Sequence, residues 1–315
     1  MTQIRRLPAP TSISQPAQKF LRSAPVITAR PMDLPALEKR RRDTHAFYAP
    51  AGFKLLKELG GAADEVMLGA VRAQRITPKN ATATNVTFYL FGGGYVQGSP
   101  DEDLEITAQL AELTKQRIYA PHYALAPEKP FPAALDEALS AYRALVAEQG
   151  AATITVMGES AGAGLALLTL LAASKAGLPM PRRLVLLSPW SDLSKTGDTL
   201  TTLAGCDPSL HYEMTLEPAA RAFAGGRDLT SPEISPLYAD YPTAFPKTLI
   251  TTGTRDLFLS DCARLSTKMR AAGIDCELRV WEGMWHVFEY YDLPEAQASL
   301  AEIARFITAL ELTSA

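Results

Sequence analysis

Residues 158–162 read Gly-Glu-Ser-Ala-Gly and stand between an apolar run, Thr153 to Met157, and a helix-forming run, Leu165 to Ala173. A strand, a sharp turn and a helix are compressed into one short stretch. A serine at the apex of such a turn is held in a strained backbone conformation. Small residues are therefore needed two positions before and after it, and its hydroxyl projects clear of the sheet. Ser160 is the candidate nucleophile. The bare pattern also occurs in ordinary strand-to-helix turns, so the flanking runs carry this reading more than the two glycines do.

The rest of the composition narrows the class of protein. With 315 residues and 47% hydrophobic content, the chain has material for one large α/β domain or two average ones. A net charge of −3 provides no broad basic field, so neither nucleic acid nor an anionic lipid surface is an expected partner. The run Lys39-Arg40-Arg41-Arg42 is flanked by Glu38 and Asp43 and reads as a solvated helix face. Cys206, Cys262 and Cys276 are odd in number and lack CxxC spacing, so neither a disulfide framework nor a zinc site is expected, in keeping with a reducing compartment. Arg5 and Arg6 are followed by a Pro-rich polar stretch rather than the apolar run of an export signal, and the expected location is cytoplasmic. The longest apolar stretch, after Gly162, falls well short of the ~20 residues of a membrane span.

Strand and helix patterns alternate along the chain. Residues 1–50 are read as an accessory segment with a charged helix from Leu34 to Phe47. Strands are then expected at Glu65 to Ala73, Asn85 to Phe91 and Arg117 to Pro121, with helices from Asp101 to Thr114 and Pro132 to Glu148. Beyond the Ser160 turn, strands are expected from Arg183 to Ser188, Lys247 to Thr252 and Cys276 to Trp281, and a last helix from Pro294 to Leu312. This alternation predicts an α/β fold with a mostly parallel central sheet flanked by helices. The stretch 191–232 contains no strand pattern and is expected to lie over the open end of the sheet. Its Leu200, Leu203, Leu210, Met214, Leu216 and Phe223 are expected to pack rather than to meet a lipid surface.

A nucleophilic serine needs a base within reach, and the base needs an anion to fix its tautomer. Of four histidines, His286 follows the last strand, which gives the hydrolase chain order Ser, acid, His. Asp256 follows the strand ending at Thr252 and emerges at the same edge of the sheet. Its rival, Asp261, stands at the start of a helix and is expected to cap backbone N–H groups there. The turn Phe91-Gly92-Gly93-Gly94-Tyr95 follows a strand and can offer backbone N–H groups to a tetrahedral intermediate. Neither a P-loop Lys-Ser/Thr pair nor a GxGxxG fingerprint accompanies it, so it does not read as a phosphate cradle.

Taken in this order, the chain resembles the hormone-sensitive-lipase-like family of α/β-hydrolases, in its bacterial carboxylesterase branch. The carriers are Gly92 to Gly94, Tyr123-Ala124-Leu125-Ala126-Pro127-Glu128, residues 158–162, Ser188-Pro189-Trp190-Ser191-Asp192, Ser235-Pro236-Leu237, Asp256 and His286. The resemblance implies an α/β-hydrolase fold with a helical cap. The N-terminal cap segment would be 1–50, the cap insertion 191–232, and the core the two parts 51–190 and 233–315. It implies a triad of Ser160, Asp256 and His286, and an oxyanion hole from the N–H groups of Gly93, Gly94 and Ala161. Phe47, Tyr95, Trp190, Tyr212 and Phe288 are the aromatic candidates for a substrate pocket.

The departures from the family pattern are specific. Phe91 stands where the family usually has His, Glu159 where Asp is commoner, His122 where an acid is usual, and Ala124 where Arg is usual. Charge pairing beneath the site floor is therefore expected to be rebuilt, with Tyr123 and Glu128 structural. The expected activity is serine hydrolysis of a short- to medium-chain carboxylic ester, a small-molecule substrate, with no metal or organic cofactor. A lactone is the alternative substrate, since ring opening uses the same triad. An amide or carbamate hydrolase and a non-catalytic small-molecule-binding protein on the same scaffold are the remaining readings. Family members can associate as homodimers, and nothing in the residues selects a mode.

Overall fold

Apolar runs form the centre of an eight-stranded sheet, and more mixed strands form its edges. The structure, a computed structural model, describes residues 7–24, 27–29 and 31–310. Six strands run parallel: β3 (Val86–Leu90), β4 (Arg117–Pro121), β5 (Ile154–Glu159), β6 (Arg183–Leu187), β7 (Lys247–Gly253) and β8 (Cys276–Trp281). With β1 (Ala62–Leu68) and β2 (Val71–Thr77), the order across the sheet is β1-β2-β4-β3-β5-β6-β7-β8. Strands β3, β5 and β6 are buried at every residue, as continuous apolar strands covered on both faces must be. The connecting helices are α3 (Leu104–Thr114), α4 (Ala133–Gln149), α5 (Ser160–Lys175), α8 (Leu259–Ala271) and α9 (Pro294–Thr308). The expected end of α9 at Leu312 falls outside the described residues.

Two elements differ from expectation. The single strand expected over 65–73 is an antiparallel hairpin of β1 and β2, with Leu68 paired to Val71 and Gly69, at φ 61°, turning the chain between them. A left-handed residue in a two-residue loop is what that tight turn requires. The charged helix does not stop near Phe47. Instead, α2 runs from Leu34 to Glu58 and carries Pro50 inside it. Proline removes a helical N–H and ordinarily ends or kinks a helix. Here packing overrides that tendency, because a Cβ on Gly52 would lie 2.5 Å from the Leu104 Cβ, so α2 crosses close over the start of α3.

The basic run on α2 is only half solvated, a correction to the reading of it as one exposed face. Lys39 and Arg42 are largely exposed beside acidic neighbours one turn away. Arg40 Nε donates to Gln97 Oε1 at 2.8 Å. Arg41 clamps Glu128 through two bonds of 2.5 and 3.0 Å and also reaches the carbonyls of Val96 and Ala126. Glu128 is thus structural, anchoring α2 to the loop that follows β4. The short helix α1 (Gln15–Ser23) packs with a second apolar cluster of Ile13, Met284, Trp285, Phe288 and Leu293. Phe20 stacks on Trp285 at 4.4 Å, which braces the loop carrying His286.

Residues 191–232 contain no strand, only α6 (Thr199–Thr202), one turn of wide helix at Tyr212–Leu216 and α7 (Glu217–Ala224). Leu200, Leu216 and Phe223 are buried, and Leu203 and Leu210 pack partly buried against the main core. Leu200, Leu203 and Phe223 are used for packing, whereas Leu210, Met214 and Leu216 also border an open cavity.

Candidate active site

Ser160 begins α5 directly after β5, and its φ of 54° is the left-handed strain that a strand-to-helix elbow imposes. The small neighbours are required by contact. A Cβ on Gly162 would come within 2.1 Å of the Leu90 carbonyl oxygen and 2.2 Å of that of Phe91.

His286, on the loop after β8, places Nε2 2.8 Å from Ser160 Oγ. Its Nδ1 lies 3.3 Å from Asp256 Oδ1. That oxygen also accepts the Phe258 N–H at 2.9 Å, and Oδ2 accepts the Thr252 hydroxyl at 2.8 Å. Burial works against ionising Asp256, but the charge and hydrogen bond of His286 outweigh it and hold the carboxyl below its ordinary range. An ionised Asp256 can only accept, so Nδ1 carries the imidazole proton and Nε2 is left to accept from Ser160.

Asp261 is placed elsewhere. It is fully buried in the first turn of α8, forms no capping bond there, and lies 3.6 Å from Arg264, which also binds Asp192 at 2.8 Å. The expected cap is thus an interior ion-pair site. Burial, and then the charge of Asp192, pushes the Asp261 carboxyl well above its ordinary range.

In the glycine turn, Gly92 packs directly against the Glu159 carboxyl, and its backbone N–H favours the ionised form of that group. Gly93 and Gly94 have φ values of 96° and 66°, and among the described residues neither N–H donates to a protein acceptor. Ala161 lies in the first turn of α5, where helix geometry leaves N–H groups without an intrahelical partner. Phe91 is buried and stacks on Tyr123 with ring centroids 4.0 Å apart and planes 9° from parallel, while the Tyr123 hydroxyl donates to the Phe91 carbonyl at 2.5 Å. The aromatic pair braces the turn from below.

A cavity of about 230 Å³ opens above Ser160 and His286, bounded by Gly93 and Gly94. Thr44 and Tyr48 of α2 form one wall, Ser209, Leu210 and Met214 another, and Asp103, Glu159 and Tyr290 also border it. None of the five aromatic candidates lines it. Phe47 is 74% exposed and faces away, one residue from Tyr48. Tyr95 stacks on Phe223 at 3.8 Å and Trp190 on Phe258 at 5.8 Å, each within the core. Tyr212 donates to the Leu193 carbonyl at 3.1 Å, and Phe288 is buried in the cluster behind Trp285. Four of the five are spent on packing and Phe47 is exposed, while the cavity is bordered by the motif residues together with Thr44, Tyr48, Ser209, Leu210 and Met214, which belong to no motif.

Asp207 is a member of the site that the sequence reading missed. Its Oδ1 accepts the N–H groups of Ser209 and Leu210 and the Ser209 hydroxyl, at 2.8, 3.1 and 2.7 Å. Its Oδ2 lies 3.3 Å from the N–H groups of both Leu257 and His286. One carboxylate therefore ties a cavity wall to the loops carrying Asp256 and His286. Burial, and then the neighbouring Asp256 charge, pushes this carboxyl up to about 6. In sequence, Asp207-Pro208-Ser209 reads only as a turn. Asp207→Ala is expected to lower kcat/KM about tenfold, since each buried N–H left without an acceptor costs about 1–3 kcal/mol. Steady-state kinetics beside a melting curve would check this, and unchanged kinetics would remove Asp207 from the site.

Among the described residues, no group of three or more His, Cys, Asp or Glu side chains is arranged to hold a metal ion, and no helix is long and apolar enough to cross a membrane.

A serine hydrogen-bonded through histidine to a buried aspartate, on loops at one edge of a mostly parallel sheet, defines the serine-hydrolase class. A family model for the alpha/beta hydrolase fold matches residues 87–290. The acetyl-hydrolase of Streptomyces hygroscopicus is 34% identical over 248 residues, covering 78% of this chain and 82% of the relative. The crystal structure of an esterase superposes with a TM-score of 0.90 at 29% identity, covering 98% of each chain. A hormone-sensitive lipase from a metagenome library gives 0.82 at 35% identity, covering 93% of this chain and 95% of that one. The chain belongs to the α/β-hydrolase family, in its hormone-sensitive-lipase-like branch of carboxylic ester hydrolases.

Proposed function

We propose that the protein hydrolyses short- to medium-chain carboxylic esters through an acyl-enzyme on Ser160. The observation that carries this is the 2.8 Å contact between His286 Nε2 and Ser160 Oγ, with Asp256 on the other ring nitrogen. Ser160 Oγ attacks the ester carbonyl as its proton passes to Nε2. The tetrahedral oxyanion is met by the N–H groups of Gly93, Gly94 and Ala161, and its collapse expels the alcohol with the proton from Nε2. Water then repeats the sequence on the acyl-enzyme, its proton going to Nε2 and on to Ser160 Oγ as the acid leaves. The route needs no metal or organic cofactor.

In this reading, segments 1–50 and 191–232 act as the cap, since α2 and residues 209–219 supply facing parts of the cavity border. The small cavity, and a relative whose name specifies acetyl groups, support a small acyl group. We place the protein in the cytoplasm, a reading supported by three cysteines that form no disulfide with one another. The test is a p-nitrophenyl ester series from acetate to palmitate, with a lactone panel, on wild type and Ser160→Ala. Turnover peaking at short or medium chains and abolished in the variant is expected. Equal inertness of the two proteins on every ester would overturn the proposal, and a preference for lactones would move the substrate class.

A further inference from the structure

Beside the nucleophile lies a buried acid chain that the ester mechanism does not use. The Tyr290 hydroxyl contacts Asp103 Oδ1 and also lies 3.2 Å from Glu159 Oε1. Tyr89 donates its own hydroxyl to Asp103 Oδ2 at 2.9 Å. A Cβ on Gly92 would sit 1.9 Å from Glu159 Oε1 and 2.5 Å from its Oε2, so carboxyl and turn are packed in direct contact, with the Gly92 backbone N–H acting on the carboxyl.

Hydrogens can be counted across this chain. The Tyr290 hydroxyl has one, and it faces two carboxyl oxygens. If both carboxyls were ionised, one of the two contacts would set lone pair against lone pair. A proton on one carboxyl resolves this. Asp103 already receives the hydroxyls of Tyr89 and Tyr290, an arrangement that suits the ionised form, whereas Glu159 can give its own proton to the Tyr290 oxygen. The side-chain hydrogen-bond partners of the two carboxyls are tyrosine hydroxyls, with no Lys or Arg among them.

We propose that Glu159 is a positioning residue that works as a neutral carboxylic acid, holding the oxyanion turn through Gly92 while Tyr290 relays its hydrogen bond to an ionised Asp103. The inference rests on the ester-hydrolase reading of Ser160. The surroundings agree. Burial, and then the charge of Asp103, pushes the Glu159 carboxyl well above its ordinary range, and Asp103 itself is pushed up by burial to about 7. Glu102 beside Asp103 and Glu289 beside Glu159 add further negative charge, so every acidic neighbour favours keeping the proton. Tyr123, which faces the Phe91 carbonyl, His286, bonded to Ser160, Tyr48, whose ring lies 6.1 Å from that of Tyr290, and Arg40 and Tyr291 on the cavity border are further titratable or charged groups around the chain.

The consequence is electrostatic. A neutral Glu159 orders Gly92 without placing a second negative charge beside the site where the substrate oxygen becomes an anion. Raising the pH removes that proton, so kcat/KM is expected to decline on the alkaline side. Glu159→Gln cannot ionise, yet it keeps an acceptor for Gly92 and a donor for Tyr290. Glu159→Ala keeps neither and is expected to lose kcat about tenfold or more, with KM changing less. Glu159→Gln is expected to recover most of that loss and to lack the alkaline decline. A glutamine variant as impaired as the alanine one, or one that declines like wild type, would overturn the proposal. A second readout is independent of turnover: difference infrared spectra at neutral pH should contain a protonated carboxylic acid C=O band that disappears in Glu159→Gln. Its absence from folded wild type would also overturn the proposal. An inactive wild type that retains the band would instead count against the ester reading alone.

Discussion

Asp256→Asn is expected to lower kcat on p-nitrophenyl esters by about 10,000-fold while leaving the fold intact. An asparagine offers an N–H toward Nδ1, which drives the imidazole proton to Nε2 and removes the acceptor that lies 2.8 Å from Ser160 Oγ. The loss therefore comes from a wrong tautomer rather than from missing bulk. Asp261→Asn supplies the control. That carboxyl faces Arg264 at 3.6 Å and lies outside the hydrogen-bond chain of His286, so its variant should lose less than about threefold. Comparable losses in the two variants would sink the assignment of Asp256 as the acid.

Gly162→Ala is expected to damage fold and activity together through a single added methyl group. The new Cβ would meet two backbone carbonyl oxygens at 2.1 and 2.2 Å, and backbone cannot swing aside as a side chain can. Those carbonyls belong to Leu90 and Phe91, at the end of β3 where the glycine turn begins. Relief of the clash must move either the elbow or the turn, so stability and turnover should fall together. The stability loss should reach or pass the upper end of the about 1–3 kcal/mol that overpacking typically costs. Thermal melting with a parallel esterase assay checks both, and a variant that melts and turns over like wild type would show that the elbow has slack the contacts do not reveal.

Most of the sheet could be read from sequence because parallel strands buried on both faces announce themselves as uninterrupted apolar runs. Arg117–Pro121 lies at the residues expected, and so does Cys276–Trp281, although that edge strand carries Glu277 and Arg279 and is not such a run. The β1–β2 hairpin was missed because Gly69 and Ala70 interrupt an otherwise continuous alternation too briefly to read as a turn. Helix α2 was cut short because Pro50 and Gly52 are local signals for an ending, whereas what keeps the helix going is the approach of Leu104, about fifty residues away.

The site divides the same way. Ser160, Asp256 and His286 were recognisable because each follows a strand, and the structure brings those three side chains together. Of the five aromatic pocket candidates, Tyr95, Trp190 and Phe288 are large side chains next to motifs. Those properties select residues for the core as readily as for a cavity. Tyr48, Leu210 and Met214 border the cavity only because two segments distant in sequence meet over the sheet edge. Asp207 belongs to the same category: its partners at Leu257 and His286 lie far along the chain, so no local pattern could mark it.

The Asp207 tether also limits how the molecule can be recombined. The stretch 191–232 leaves the sheet after β6 and returns before β7, so it could in principle be exchanged for that of a relative without disturbing any strand register. Yet the incoming segment would need to bring an acceptor to the N–H groups of Leu257 and His286. Substrate preference and chemical competence are therefore not separable modules in this chain, and a graft that supplies a new wall without that one carboxylate should alter the pocket and loosen the base in the same step.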